Sequence, residues 1–196
     1  MAERYPEPYK EYLVLFHGER DYFECHEVLE EYWKEDPRGP RSRLWVGLIQ
    51  IAVALYHERR GNAAGARKLL RKAISLLKDG NLASIGIDRT ELMNLLEERL
   101  QELERTLKGG REGPPVRETS GFQDLNLPLS DPALMQECVR RCRERGCVWG
   151  APSRIDRREL THKHMLRDRS EVIRLRREAL ERNLFRRGNG KAGRGK

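Results

Sequence analysis

Cysteine is scarce in this 196-residue chain, with four unevenly spread at Cys25, Cys138, Cys142 and Cys147. That pattern does not match the dense disulfide framework of a small secreted domain, and reduced thiols are expected. Long hydrophobic runs are also lacking. The longest nearly unbroken one, Val46 to Tyr56, is far short of the roughly 20 residues of a membrane span. Met1 to Lys10 carry acids and prolines rather than a basic patch and an apolar stretch, so no secretory signal is read and a cytoplasmic, soluble protein is expected. No Gly-rich phosphate loop or dinucleotide fingerprint occurs, which argues against nucleotide cofactors. Alternating apolar and polar residues never run long enough to compete as a sheet. An aromatic-rich RNA-binding strand motif and a clear helix-turn-helix are missing too.

Charge is abundant and unevenly placed. Residues 1–110 hold 18 basic and 19 acidic side chains, whereas 111–196 hold 21 basic and 12 acidic, so the formal net charge of +8 belongs to the second part. Glu19 to Asp36 is a strongly acidic segment with eight acids against Arg20 and Lys34. Arg154 to Lys196 is the reverse, with 15 bases, 12 of them Arg, against six acids.

Helical signals dominate the reading. Asp21 and Glu24 form a capping box that starts a helix over about 22–35, which the turn-rich Asp36 to Pro40 must end. From Ser42 a run apolar on nearly all sides predicts a central buried helix, closed by Gly61-Asn62. Ala66, Leu69, Leu70, Ala73, Leu76 and Leu77 then give a second helix over 63–78 and an antiparallel hairpin. That hairpin is similar to one tetratricopeptide unit, but no second copy follows, and such units need about three to bury a core. Leucines over 87–107, with Asp88 as cap, predict another helix. The expected fold is therefore all-α: a small antiparallel bundle of about four helices over 1–108, a solvated linker over 109–129, a helical basic extension over 130–187 and a disordered tail over 188–196. Within the extension, Asp131-Pro132 starts a short helix ending at Gly146, and a long helix runs over about 156–183.

Tyr22 to Trp33 contains the pattern HExxE followed by Trp. His26 and Glu30 lie four apart on one helical face, which Trp33 continues. The pattern resembles half of the zinc-protease motif HExxH. His26, Glu30 and a third ligand such as His57 would hold a divalent metal while Glu27 activated water, giving a metal-assisted hydrolase. The alternative is a buried His26–Glu30 hydrogen-bonded pair that locks the helix against the Gln50 and His57 face, with Tyr56 beside them in the candidate polar cluster. A nucleophilic Cys25 beside His26 is disfavoured, because helical neighbours point about 100 degrees apart.

The strings FHGERDYFECHEVLEEYW and GLIQIAVALYHERRGNAAGARKLLRKA resemble the bacterial, archaeal and plastid domain-of-unknown-function family numbered 309. The likeness covers about Tyr12 to Leu77, and His26, Glu27, Glu30, Trp33, Gln50, Ala52, Tyr56, Gly61, Asn62, Gly65 and Ala66 fall on its pattern. The resemblance implies a small antiparallel helical bundle and no particular reaction. THKHMLRDRSEVIRLR is similar to the ending of longer bacterial members.

Two further features lie toward the C-terminus. Cys138, Cys142 and Cys147, with His162 and His164, offer zinc-ligand chemistry, but their spacing does not match a zinc knuckle, and small inert thiols are the plainer reading. In the last predicted helix, an apolar stripe recurs every seven residues and is interrupted by Arg169 and Arg176, while Arg167, Arg174, Arg177 and Arg182 widen a positive face. Guanidinium groups there suit nucleic-acid phosphate, an acidic protein, or the chain's own acidic segment in one copy or across a homodimer. The expected function is thus a non-enzymatic helical interaction module that needs no cofactor and binds a protein or polyanion through its basic C-terminal helix. The hydrolase is the alternative. No membrane partner is expected.

Overall fold

The computed structural model describes residues 4–109 and 122–153, which belong to one compact unit. The predicted helix over 156–183, its arginines, His162, His164 and the tail over 188–196 lie outside the described residues. Six α-helices are present among the described residues: α1 (Glu7–Val14), α2 (Tyr22–Glu35), α3 (Ser42–Arg59), α4 (Ala63–Leu77), α5 (Arg89–Lys108) and α6 (Pro132–Glu144). No strand forms among these residues, and the fold is all-α. No described helix is long and apolar enough to cross a membrane.

Aspartates start three helices as their spacing predicts. Asp21 accepts from Glu24 N at 2.9 Å, Asp88 from Glu91 N at 2.9 Å, and Asp131 from both Ala133 N and Leu134 N. Each removes an orphaned amide hydrogen from a first turn. α3 is the central helix, burying Leu44, Trp45, Leu48, Ile51, Leu55 and others. It pairs with α4 across the short turn at Gly61, whose φ of +75° suits a residue without a side chain. A Cβ at Gly47 would overlap the Leu77 side chain, so the missing side chain lets α3 and α4 approach closely.

Helix α1 was not expected from the sequence. Pro6 sits at its N-terminus, where a missing N–H costs nothing, and Tyr9, Tyr12, Leu13 and Phe16 face the core at three-and-four spacing. The two buried phenols are satisfied, Tyr9 donating to Ile85 O at 2.7 Å and Tyr12 to Leu48 O at 2.9 Å. A π-helical turn, Leu15–Glu19, follows and ends at Arg20 in the left-handed conformation (φ +56°).

Residues 122–129 fall in the stretch read as linker, yet Leu125 and Leu127 are buried. Their backbone is held by Asp88 N donating to Pro128 O and Ser130 N donating to Gly86 O, each at 2.8 Å. α6 then packs beside α1 through Leu134, Cys138 and Cys142, spaced four apart on one buried face. Its arginines pair with the N-terminal segment: Arg141 with Glu7 at 2.7 Å, and Arg145 with Glu11 and with Glu19 at 3.3 Å.

Candidate functional site

The HExxE helix is α2, and its polar residues disperse to separate local partners. His26 is half-buried with Phe23 edge-on at 5.1 Å, and its Nδ1 is buried with no hydrogen-bond partner. Glu30 pairs with Lys34 one turn on, at 3.0 Å. Trp33 Nε1 donates to Ser42 Oγ at 2.8 Å, and Ser42 Oγ in turn donates to Pro37 O, which closes the turn between α2 and α3. Glu27 is half-buried, as is Gln50 on α3, whose Oε1 is a buried acceptor with no partner. Tyr56 is buried, with Phe23 at 5.5 Å and the Arg60 guanidinium 5.4 Å from its ring centroid.

His57 sits at the other end of the hairpin. Its Nδ1 is 2.8 Å from Asn62 Nδ2, and Asn62 Oδ1 already accepts from Gly65 N, so the amide nitrogen donates and the His57 ring accepts. Burial, followed by the nearby Arg60 charge, lowers the His57 pKa. The expected ligand set therefore does not assemble. Glu30 is held by Lys34 and His57 by Asn62, and no group of three or more His, Cys, Asp or Glu among the described residues is placed to hold a metal ion. The expected locking pair is also not formed, since Glu30 bonds Lys34 and His26 Nδ1 bonds nothing.

A polar centre that local spacing did not reveal lies where α2, α3 and residues 122–153 meet. Arg20, almost fully buried, donates to four neutral acceptors: Ala151 O (2.8 Å), Leu125 O (3.0 Å), Phe16 O (3.3 Å) and Asn126 Oδ1 (2.7 Å). Arg59 donates to Arg20 O and Ser153 Oγ, each at 2.9 Å, and lies 3.4 Å from Asp124 Oδ1. Its guanidinium also stacks 4.3 Å from the Tyr22 ring centroid. Asp124 accepts from the Tyr22 hydroxyl at 2.7 Å and from the Ser153 amide and hydroxyl. Burial raises the Asp124 pKa, but the Ser153 and Tyr22 hydrogen bonds and the Arg20 charge outweigh it, and the net shift is downward. Burial, followed by the Asp124 carboxylate, raises the Tyr22 pKa.

Beside this centre His17 is stacked on Trp149, with ring centroids 4.1 Å apart and planes within 9°. Neither of its ring nitrogens has a hydrogen-bond partner of good geometry. Burial, followed by the Arg20 charge, takes its pKa down to about 3, with Asn126 pulling weakly the other way.

Comparison with known proteins decides the family. Residues 9–69 match the family described as Domain of unknown function (DUF309). Over 180 residues the chain is 43% identical to the uncharacterized protein YpuF of Bacillus subtilis (strain 168), a span covering 91% of this chain and 96% of that protein. The chain belongs to the DUF309 family. No solved structure matches it. The DUF309 match runs from α1 into α4 and includes His17, Arg20, the His26 face and Arg59. Asp124, Trp149 and Ser153, which complete the polar and aromatic contacts, lie beyond it.

Proposed function

We infer that this DUF309 protein is a helical interaction module that binds a polyanion, nucleic-acid phosphate being the chemistry that suits it, through the arginine-rich segment after residue 153. The observation that carries this reading is where the charge lies. The described residues hold 22 basic and 22 acidic side chains, an electrically neutral body, and Arg154 to Lys196 alone hold an excess of nine bases. Five of the body's arginines, Arg20, Arg59, Arg99, Arg141 and Arg145, are engaged by partners inside the chain, which fits the same division of labour.

An excess carried mainly by arginine suits phosphate. The guanidinium fork matches two phosphate oxygens, stays charged at any ordinary pH and is less strongly hydrated than an ammonium. Binding of this kind is dominated by counterion release, so it weakens steeply with salt and discriminates little between sequences.

The test is fluorescence anisotropy of the full chain with a labelled single-stranded RNA and a labelled duplex DNA over a range of salt. Replacing Arg167, Arg169, Arg174, Arg176, Arg177 and Arg182 with Gln should weaken binding and flatten the slope of log affinity against log salt, by up to about 4 for the single strand if all six reach phosphates. An unchanged affinity and slope in that variant, or no binding by the parent at low salt, would reject the reading.

A further inference from the structure

We propose that Cys142 and Cys147 form a redox-active dithiol that closes a reversible disulfide at the C-terminal end of α6. The pair is built into the fold from both sides. The turn that ends α6 brings the two backbones together, with Cys147 N donating to Cys142 O at 2.9 Å and Gly146 in the left-handed conformation between them. Both sulfurs then converge on Gly18, in the π-helical turn after α1. A Cβ there would overlap both Sγ atoms, so only a residue without a side chain leaves room for the sulfur pair. Burial, followed by the neighbouring Cys147 thiol, pushes the Cys142 thiol up to about 12.

Their exposures differ in the way an exchange reaction needs. Cys142 is buried, while Cys147 is partly open to solvent. Cys25 and Cys138 are both fully buried, and Cys25 Sγ already lies 3.6 Å from Tyr22 O. A small disulfide therefore meets Cys147 first.

The Cys147 thiolate attacks one sulfur of a low-molecular-weight disulfide, forming a mixed disulfide and releasing one small thiol. Cys142 then loses its proton and attacks the Cys147 sulfur, so the internal S–S bond forms as the second small thiol leaves. Two protein thiols are oxidised, one small disulfide is reduced, and the two protons lost by the cysteines end on the two released thiols. The bond would tie α6 to residues 147–153, which are docked by the Trp149 stack on His17, by Gly150 N donating to His17 O at 3.0 Å and by Arg20. In sequence that segment leads directly into the basic stretch.

The experiment incubates the full chain with oxidised glutathione, quenches in acid, blocks remaining thiols with iodoacetamide after unfolding, and maps the peptides by mass spectrometry. The expected product has two of its four cysteines protected from alkylation, joined as a Cys142–Cys147 peptide that dithiothreitol releases. Cys142→Ser should stop at a stable glutathione adduct on Cys147. Because Cys142 is buried and its replacement can unfold the chain, Cys147→Ser at the more exposed position is the second variant. With a native circular dichroism spectrum, it should keep its remaining thiols unmodified. A fully reduced parent, a lasting glutathione adduct on Cys147 of the parent, a bond to Cys25 or Cys138, or glutathione on Cys142 in Cys147→Ser would each overturn the proposal.

Discussion

Acidification from pH 7.5 to pH 5 should destabilise this protein chiefly through His17, with His57, whose pKa is also lowered, adding a loss of the same sign. The His17 ring is buried against Trp149 without a good hydrogen bond, and its pKa falls from 6.5 to about 3 in the folded chain. In the unfolded chain the imidazole takes up a proton as pH drops through about 6.5, while the folded chain refuses it until about pH 3. The unfolded state thus binds more protons in this window, and stability is full above the unfolded pKa and is lost progressively as pH falls toward the folded one. With those two pKa values the loss between pH 7.5 and pH 5 is about 2 kcal/mol. Glu7 and Glu137, whose pKa values are held down to about 2 by hydrogen bonds from Arg141 and Arg140, add their own losses mostly below this window. Urea unfolding of the parent and of His17→Phe at matched pH values isolates the effect, because the variant keeps an aromatic face for Trp149 and removes the titration. The parent should lose about 2 kcal/mol more than the variant over that interval. Equal losses in the two proteins, or an imidazole resonance of His17 that titrates near pH 6.5, would refute the reasoning.

Other perturbations follow from the same contacts. Asp124→Ala removes the acceptor shared by Tyr22, Ser153 and Arg59 and leaves a buried guanidinium without its carboxylate, so chemical denaturation should show a loss of about 3 kcal/mol. Asn62→Ala deletes the cap on Gly65 N and the donor to His57 together. It should cost about 1 kcal/mol by the same measurement and let the His57 pKa, read by NMR, move.

The bundle was readable from the sequence wherever a start signal, an apolar period and a stop signal agreed. Asp21, Asp88 and Asp131 supplied starts, Gly61 and Gly146 supplied stops, and α2 to α6 fall where these predict. α1 escaped because its stripe is carried by Tyr9, Tyr12 and Phe16 behind two prolines and an acid, a composition that locally reads as a loop. Leu125 and Leu127 are too few to declare a buried segment amid Gly, Pro and Ser. The HExxE spacing correctly placed His26 and Glu30 on one helix, but which partner each acquires is a tertiary matter. Lys34 lay within reach of Glu30 on the same helix, whereas the Phe23 contact to both His26 and Tyr56 joins α2 to α3. The centre formed by Arg20, Arg59, Asp124 and Ser153 joins positions up to 133 apart in the chain, and no helical or strand period connects such residues.

The reading as a polyanion-binding module is tested most directly by mapping where a polyanion touches the protein. Hydrogen–deuterium exchange of the full chain, read by mass spectrometry with and without a single-stranded RNA oligomer at low salt, locates the contact peptide by peptide. Slowed exchange confined to peptides from 154–187, reversed by high salt, with α2 to α5 unchanged, is the predicted result. Slowed exchange centred on α2 and α3 around His26 and Gln50, with none in 154–187, would contradict it.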